Sequence, residues 1–418
     1  MVYVRRGVVV WRSVCAVVGV AVVMSVLLAW SASASAADIY VSIEKGSTKN
    51  PGTKDAPVKN LWRVIENAKP GDVIHVAQGN YPGRGKSGAQ PRIKVSNLTI
   101  LGGYSPDFSK RDPFTYHTTV IAPDDSRNKT SDATFTTEPS MTNLDNIVID
   151  GFIIDRGPLN EYKVAKDGSL DATKSPSAPA IQLMGRGGFQ VRNCVIVNSS
   201  WWGIYVKCGK DSVIDNNIVF NTVGRGICAI AGGGWGKPTI TVTNNTSVFS
   251  FKIHTTEGRG IYVDHNAGNN IVRGNLVAFN DESGLAAPFQ NIKTIEMDKN
   301  LFYFNKYGDV VLGGQGGLAV MADEFEDELD FNSFEENVGT DPKLPLIKDW
   351  FDKYCKRKDA VEGKVTYDDL NNIRSALGLP VIGAAGKEAE YYALRYEPWT
   401  EVLKLVGHNP NFGCQKSK

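Results

Sequence analysis

The sequence predicts an all-β fold, a single-stranded right-handed parallel β-helix with an N-terminal helical cap and a C-terminal, partly helical appendage. Three observations lead to this prediction. Five segments repeat one design at steps of 23, 29, 30 and 25 residues, each segment carries an asparagine in register, and each ends in a glycine-led apolar run. Steps of this length accommodate three short strands per coil, and such coils stack only on their neighbours.

The repeat defines two polar columns and one glycine column. The first column is predicted to contain Asn193, Asn216, Asn245, Asn275 and Asn300. The second lies five residues further on and contains Asn198, Asn221, Ser250, Asn280 and Asn305. The apolar runs begin at Gly203, Gly226, Gly260, Gly284 and Gly308. Amides stacked at a coil spacing of about 4.8 Å can hydrogen-bond along the column. A propeller blade needs about 40 residues, and a sandwich would show no asparagines in register, so we prefer the β-helix.

The N-terminus has the order of a secretory signal. Arg5 and Arg6 precede an apolar stretch from Val14 to Trp30, and the small residues of 34–36 follow it. This order predicts cleavage after Ala36. An uncleaved anchor is the alternative, because the apolar run reaches the lower limit for a spanning helix. The predicted organisation is a signal peptide over 1–36, the β-helix over 37–318 and an acidic and helical capping segment over 319–418.

The charge balance gives no sign of a nucleic-acid partner. Three of the 46 basic residues lie in the predicted signal, which leaves 43 against 45 acidic residues in the rest of the chain. A nearly neutral chain lacks the basic footprint of a nucleic-acid-binding protein. No other segment is apolar enough to span a membrane, so we expect an extracellular or periplasmic monomer without a membrane partner after signal removal.

The cysteines suggest one disulfide and no zinc site. Five remain after signal removal, namely Cys194, Cys208, Cys228, Cys355 and Cys414. An odd number leaves at least one thiol unpaired in an oxidising compartment. Cys355 and Cys414 both lie in the C-terminal segment and are the preferred pair. No C-x-x-C pair is present, which disfavours zinc.

The N-terminal part of the predicted mature chain carries a family resemblance. It begins with a strand over Ile39–Ser42, continues through the turn 50–53 and a helix over Leu61–Ala68, and reaches Gly79 through a Pro-Gly-Asp turn. It resembles secreted β-helix proteins of the pectate-lyase-like superfamily, and most closely the chondroitinase B and alginate lyase group. The resemblance covers about Asp38 to Gly314 and implies the fold. It transfers no catalytic residue, because the catalytic and calcium-binding motifs of that group match no coil here.

The glycine-led strands are expected to form one sheet whose outer face carries ionisable residues. Period-2 alternation points Tyr205, Lys207, Tyr262 and Asp264 outward, and the flanking turns add further charged groups. The candidate catalytic residues are Tyr205, Lys207, Arg225, His254, Glu257, Arg259, Tyr262, Asp264 and His265. The position resembles that of the active groove in polysaccharide-cleaving β-helices.

The favoured hypothesis is β-elimination on an acidic polysaccharide. This reaction needs a group that neutralises the uronate carboxylate, a base and an acid. The candidates for these roles are, respectively, Arg225 or Arg259, Lys207 or His254, and Tyr205 or Tyr262. A glycoside hydrolase using Glu257 and Asp264 is one alternative. The other is a non-catalytic carbohydrate-binding or surface protein, in which Arg259 pairs with Glu257 and the tyrosines only stack along the sheet.

Other features leave alternatives open. Trp201, Trp202 and Trp235 are placed to stack on sugar rings, and Trp202 is equally placed to fill the core. The acidic run Asp323–Glu336 makes calcium the candidate metal but lacks the spacing of a calcium loop, so a solvated turn or helix face is preferred. No other cofactor is indicated. Segments 349–358, 365–378 and 389–407 show helical spacing and are expected to close the second end of the β-helix.

Overall fold

The computed structural model describes residues 36–82, 92–121, 133–156, 163–164, 170–171, 178–199, 201–251, 258–264, 266–280, 282–305, 307–313, 318–320, 330–342, 399–406 and 409–416. These residues form a right-handed parallel β-helix of stacked three-stranded coils, as the sequence predicts. The segment from residue 38 onwards is one compact unit. Within the described residues, no helix is both long enough and apolar enough to cross a membrane. The predicted signal peptide lies outside the described residues, apart from Ala36.

The N-terminal part contains the cap and the first coils. Its elements are β1 (Asp38–Val41), α1 (Leu61–Glu66), β2 (Val73–Ala77), β3 (Gly79–Pro82), β4 (Leu98–Tyr104), β5 (Thr118–Ile121), β6 (Phe135–Thr136), β7 (Ile147–Asp150), β8 (Ile153–Asp155), β9 (Lys163–Val164), β10 (Leu170–Asp171) and β11 (Ile181–Met184). Strands β9 and β10 form a separate antiparallel pair between β8 and β11.

The five repeat segments supply the remaining coils. Their strands are β12 (Gln190–Arg192), β13 (Val195–Ser199), β14 (Ile204–Cys208), β15 (Ser212–Asp215), β16 (Ile218–Val223), β17 (Arg225–Ala231), β18 (Thr239–Thr243), β19 (Thr246–Phe251), β20 (Arg259–Val263), β21 (Asn269–Arg273), β22 (Leu276–Ala278), β23 (Ser283–Ala287), β24 (Ile295–Asp298), β25 (Leu301–Tyr303) and β26 (Gly308–Leu312). A 3-10 helix spans Phe289–Thr294, and β27 (Leu318–Val320) and α2 (Trp399–Val406) follow.

Each complete coil contributes one strand to each of three sheets. The first sheet has the order β1-β2-β4-β7-β12-β15-β18-β21-β24, the second β3-β5-β8-β13-β16-β19-β22-β25, and the third β6-β11-β14-β17-β20-β23-β26-β27. All neighbours in these sheets pair in parallel except β26 and β27, which pair antiparallel. The glycine-led runs of the sequence therefore form the third sheet, as predicted.

The core is filled by the inward residues of all three sheets. In the third sheet Ile204, Ile227, Ile261 and Leu285 stack in register and are each 0% exposed. At the N-terminal end, Leu61, Trp62 and Ile65 of α1 pack against the same core. This helix therefore covers apolar side chains that an open end of the solenoid would leave in water.

A buried amide ladder lies at the turn between the first and second sheets. The side-chain amide of Asn217 donates to Asn245 Oδ1 at 2.9 Å, Asn245 to Asn275 at 3.1 Å, and Asn275 to Asn300 at 2.9 Å. Asn300 continues the ladder to Asn337 at 2.9 Å. The ladder satisfies polar groups that the turn buries, as the sequence pattern suggested.

The predicted register of this ladder is wrong by one residue in two coils. Cys194 and Asn217, not Asn193 and Asn216, stand in line with Asn245. Asn193 and Asn216 precede them with φ of +51° and +58°, the left-handed conformation that asparagine tolerates. Asparagine thus serves two different positions of the same turn, and the sequence alone did not separate them.

The second polar column needs the same correction. Ser199, Thr222, Ser250, Asn280 and Asn305 occupy it, and Asn198 and Asn221 lie one position earlier with φ near +59° and +58°. The Thr222 and Ser250 hydroxyls are 3.2 Å apart, and the Asn280 amide donates to Asn305 Oδ1 at 2.9 Å. The column is continuous, but its members in the first three coils, Ser199, Thr222 and Ser250, are hydroxyl residues.

The glycine column exists because the chain passes too close to its neighbours for a side chain. A Cβ on Gly226 would lie 2.7 Å from the Gly260 carbonyl oxygen, and one on Gly260 would lie 2.8 Å from that of Gly284. Such separations are shorter than real Cβ contacts. Close packing at the entry to the third sheet therefore requires glycine at these positions.

The parallel pairing continues beyond residue 318, the predicted end of the β-helix. Ser333 pairs in parallel with Glu296, and Val338 pairs in parallel with Leu301. Asn337 lies between them in the amide ladder. This last partial coil was not predicted, because β27 and the following residues 321–329 interrupt the repeat spacing. Residues 321–329 lie outside the described residues.

Residues 399–406 and 409–416 run along the side of the β-helix. Helix α2 packs beside β13, and the Trp399 ring lies 4.9 Å from that of His117, just before β5. Further on, the Gly413 amide donates to the Gly274 carbonyl at 2.8 Å, and the Gln415 amide donates to Asn216 Oδ1 at 2.6 Å. The expectation that the C-terminal segment closes the second end is thus wrong for these residues. The other two predicted helices lie outside the described residues.

Cys414 is a free thiol and does not form the predicted disulfide with Cys355, which lies outside the described residues. Its thiol donates to the Asn216 carbonyl at 3.3 Å, and burial raises its pKa. Burial also raises the pKa of Cys194 to about 12 and that of Cys208 to about 11. The thiols of Cys194, Cys208 and Cys414 are therefore protonated and unreactive at neutral pH.

Candidate functional site

The outer face of the third sheet carries the predicted site residues in two columns. Tyr205, Cys228 and Tyr262 stand in register on β14, β17 and β20. Lys207 lies in the next outward column beside Ile230, and Asp264 follows the end of β20. Because the tyrosines are two coils apart, their backbones are separated by about 10 Å. Tyr205, Lys207, Tyr262 and Asp264 are all partly exposed, as alternation predicted.

Arg225 is held between two aromatic rings. Its guanidinium carbon lies 3.7 Å from the centroid of the Tyr262 ring and 4.9 Å from that of the Trp202 indole. Its Nη1 donates to Cys228 Sγ at 3.2 Å. Residues from three successive coils therefore fix the orientation of one cation. We call Trp202, Tyr205, Arg225, Cys228 and Tyr262 the Arg225 cluster.

Cys228 provides the space that the guanidinium occupies. It points outward between two tyrosines, yet it is 0% exposed. A third tyrosine in this column would fill the position that Arg225 takes. The small residue therefore permits the cation to lie against the sheet, which the sequence pattern did not reveal.

Trp202 belongs to the outer face and is not a core residue. Its ring meets Tyr205 edge-on at 4.9 Å and stacks on Trp201 at 5.7 Å. Both tryptophans are half-buried. The aromatic surface therefore extends from the Arg225 cluster towards the turn that enters β14.

Arg259 differs from Arg225 in its environment. It is 2% exposed, and its Nη2 lies 3.4 Å from Glu282 Oε1. Glu282 is buried as well, with a side chain that is 6% exposed. Glu282 could not be predicted from the sequence as a partner of Arg259, because their contact depends on the register between β20 and β23. This pair occupies the entry side of the third sheet.

Burial holds the two tyrosines in their neutral form. The pKa of Tyr205 is raised mainly by burial, and Cys228 and Asp264 add to the effect while Arg225 opposes it. The pKa of Tyr262 is also raised mainly by burial, again against the influence of Arg225. Both phenols therefore carry a proton at neutral pH.

Lys207 and Trp235 form a second cation–aromatic contact. The Lys207 Nζ lies 5.3 Å from the centroid of the Trp235 ring. Trp235 is half-buried and lies in the glycine-rich loop after β17. This contact is at the exit end of the strands, whereas the Arg225 cluster begins at their entry end.

Three predicted site residues, His254, Glu257 and His265, lie outside the described residues. No group of three or more His, Cys, Asp or Glu side chains arranged to hold a metal ion occurs among the residues that the structure describes. The predicted acidic run is described only at 330–336.

Asp264 and Glu282, two of the described acids beside the third sheet, are far apart. Arg259 pairs with Ser283, so Glu282 lies opposite Gly258. Gly258 precedes Asp264 by six residues along the strand. At the rise of an extended strand this corresponds to about 20 Å between the two positions. The carboxyl pairs of inverting and retaining glycosidases are separated by about 5 to 9.5 Å. Asp264 and Glu282 therefore do not form such a pair.

Two protein families match parts of the chain. A family described as "Periplasmic copper-binding protein (NosD)" matches residues 143–312, the region of the repeat segments and the third sheet. A family described as "Protein of unknown function (DUF1565)" matches residues 44–114, the cap and first coils. None of the curated proteins compared with the chain matches it.

Several solved structures resemble the chain distantly. The structure titled "The complex structure of XylC with xylose" has a TM-score of 0.41 at 11% identity, over 66% of this chain and 63% of that one. DFA-IIIase from Arthrobacter chlorophenolicus A6 has a TM-score of 0.41 at 18% identity, over 65% and 64%. Pectate lyase Pel9A has a TM-score of 0.32 at 12% identity, over 75% and 84%. The chain thus spans less than two thirds of the first two structures.

Proposed function

We propose that the protein is exported and that the outer face of its third sheet binds an acidic polysaccharide and cleaves it by β-elimination. The observation that carries this proposal is the position of Arg225 between Tyr262 and Trp202. A planar guanidinium that is held by aromatic stacking is preorganised to bind a carboxylate, and it is weakly hydrated compared with an ammonium group. Aromatic faces beside it offer a surface for sugar rings.

Arg225 is the better of the two candidate arginines for carboxylate recognition. Arg259 is almost fully buried against the Glu282 carboxylate, which already neutralises its charge. A ligand carboxylate at Arg259 would have to displace a buried partner, and breaking a buried ion pair is costly. We therefore assign carboxylate neutralisation to Arg225 and a structural role to Arg259.

The protonated tyrosines fit the role of acid in this reaction. β-Elimination requires that a base removes the proton at C5 while an acid protonates the leaving oxygen. A phenol whose pKa is raised by burial is protonated at neutral pH, so it carries the proton that a donor needs and disfavours the phenolate that a base would need. Tyr205 and Tyr262 are therefore the proposed donors, and His254 is the proposed base, because Lys207 lies against the Trp235 ring.

A non-catalytic carbohydrate-binding protein is the second candidate. The buried Arg259–Glu282 pair favours it, because internal pairing of charges on this face is what a structural surface would show. The family described as a periplasmic copper-binding protein supports the proposed export to the periplasm or beyond. We propose no copper site, because the described residues contain no suitable cluster. The division at residues 36 and 318 and the monomeric state remain proposals.

Ultraviolet absorbance of the unsaturated product tests the lyase proposal directly. The mature chain would be incubated with alginate, pectate and chondroitin, each with and without calcium, and binding would be measured in parallel by affinity electrophoresis. A rise in absorbance with one polymer supports elimination, and binding without a rise favours the non-catalytic candidate. Arg225→Lys is expected to reduce either signal, with the exposed Arg63→Lys as the matched control. Failure to bind any polymer would reject both candidates.

A further inference from the structure

The glycine-rich loop after β17 holds Trp235 against the surface of the β-helix. The Trp235 amide donates to the Gly232 carbonyl at 2.9 Å, and the Gly232 amide donates to the Cys208 carbonyl at 2.7 Å. These bonds fold the loop back on the preceding coil.

Glycine at positions 209 and 232 makes room for Trp235, and glycine at position 236 makes room for Gly209. A Cβ on Gly232 would overlap the six-membered ring of Trp235, and a Cβ on Gly209 would lie 2.6 Å from Trp235 Cβ. A Cβ on Gly236 would overlap the Gly209 carbonyl oxygen. By contrast, a Cβ on Gly233 would meet nothing within 4 Å. Gly209 and Gly232 therefore pack against Trp235, whereas Gly233 does not.

Lys207 lies beside this tryptophan and gives the surface a charge. Its Nζ is 5.3 Å from the indole centroid, and both side chains are partly exposed. Lys207 is also in register with Ile230, two residues beyond Cys228 on the neighbouring strand. Two residues along a strand and one coil across correspond to about 8 Å. The Arg225 cluster and this contact are therefore neighbours on one face.

We propose that Trp235 and Lys207 form a second subsite, in which the indole stacks on a sugar ring and the ammonium binds an anionic substituent of the same polymer. This inference rests on the proposed function and deepens it. A ligand that touches both Arg225 and Trp235 must contain more than one sugar ring. The protein therefore selects a polymer over a short fragment, and Lys207 anchors the substrate.

A matched pair of glycine substitutions tests this proposal. Gly232→Ala displaces the indole without removing it, whereas Gly233→Ala makes the same chemical change in open space. Trp235→Ala removes the ring altogether. Binding would be measured by calorimetry with oligosaccharides of two and six sugars, prepared from whichever of alginate, pectate or chondroitin the wild-type protein binds. Thermal unfolding of each variant would verify that the fold is intact.

We expect Gly232→Ala and Trp235→Ala to weaken binding of the six-sugar ligand about tenfold, as loss of a tryptophan anchor does at other interfaces. Binding of the two-sugar ligand at the Arg225 cluster and all binding by Gly233→Ala should match the wild-type protein. Six-sugar affinity within twofold of wild type for both Gly232→Ala and Trp235→Ala would overturn the subsite and leave the proposed function standing. No binding by the wild-type protein would overturn both.

Discussion

The guanidinium carbon of Arg225 lies 3.7 Å from the centre of the Tyr262 ring on the next coil. A cation over an aromatic face at this distance is attracted by the ring quadrupole, and the attraction grows as water is excluded. Arg225 and Tyr262 belong to different coils, so the contact exists only when β17 and β20 pair in register. The proposed carboxylate site is therefore a product of coil stacking.

Replacement of Arg225 by lysine should lower the affinity for the bound uronan about tenfold. Lysine keeps the charge but loses both the planar stacking on Tyr262 and the two-pronged contact with a carboxylate. Calorimetry at constant ionic strength measures the effect. Arg63→Lys, on the exposed face of α1, should leave affinity unchanged. Equal affinity for Arg225→Lys and wild type would remove Arg225 from the site.

Replacement of Asn245 by alanine should destabilise the β-helix by about 3 kcal/mol. The substitution removes an amide that bonds the Ile214 carbonyl at 2.9 Å and an oxygen that accepts from Asn217. Each group left without a partner is buried, so water does not replace the lost bond. The midpoint of urea unfolding reports the change. The exposed Asn80→Ala serves as control, and a midpoint like that of the control would contradict a stabilising role for the ladder.

Replacement of Gly226 by alanine should cost about 1 to 3 kcal/mol, the range for an overpacked core. The new Cβ would overlap Ser247 Oγ and lie 2.7 Å from the Gly260 carbonyl oxygen. Backbone atoms of the next coil must then move, which weakens the pairing of β17 with β20. Thermal unfolding of Gly226→Ala compared with Gly233→Ala isolates this effect. Unchanged stability would mean that the glycine column is not required by packing.

Removal of the Lys210 charge should destabilise the protein at pH 7 but not at about pH 2. The Lys210 Nζ donates to Asp145 at 2.6 Å, and this bond is the main cause of the lowered pKa of Asp145. A carboxyl whose pKa is lower in the folded state stabilises the fold above its unfolded pKa, and the contribution disappears as pH falls through the folded value.

Lys210→Met should therefore cost about 0.2 to 1 kcal/mol at pH 7, since the lysine is half exposed. Thermal unfolding of Lys210→Met at both pH values, beside the exposed Lys110→Met, measures the difference. A cost for Lys210→Met that is the same at both pH values would show that lost packing, not the ion pair, is responsible.

The coil rhythm and the alternation of the third sheet were predictable because they depend on sequence spacing alone. Ile204, Ile227 and Ile261 recur at coil intervals, and any chain with that spacing buries them together. The register of the amide ladder was harder to predict from the sequence. Asn216 and Asn217 are adjacent and both polar, and only the left-handed backbone at Asn216 decides which one points inward.

The candidate site was predictable as a face but not as an arrangement. Alternation placed Tyr205, Lys207 and Tyr262 on the outer surface, since strand residues point to opposite faces in turn. The pairing of Arg259 with Glu282 and the stacking of Trp202 on Arg225 join residues of different coils. The sequence did not indicate a role for Glu282, because its partner Arg259 is distant in the chain and close only in the folded structure.

The sequence by itself determined that the chain forms a β-helix, which strands contain glycine at their start, and which face carries the ionisable residues. The tertiary structure decided that Arg259 is neutralised by Glu282 and that Trp235 packs against Gly232. It also decided where residues 399–406 and 409–416 lie. The physical reason is the range of the interactions. Spacing within a coil is a property of the local chain, whereas charge pairing and ring stacking depend on the register between coils.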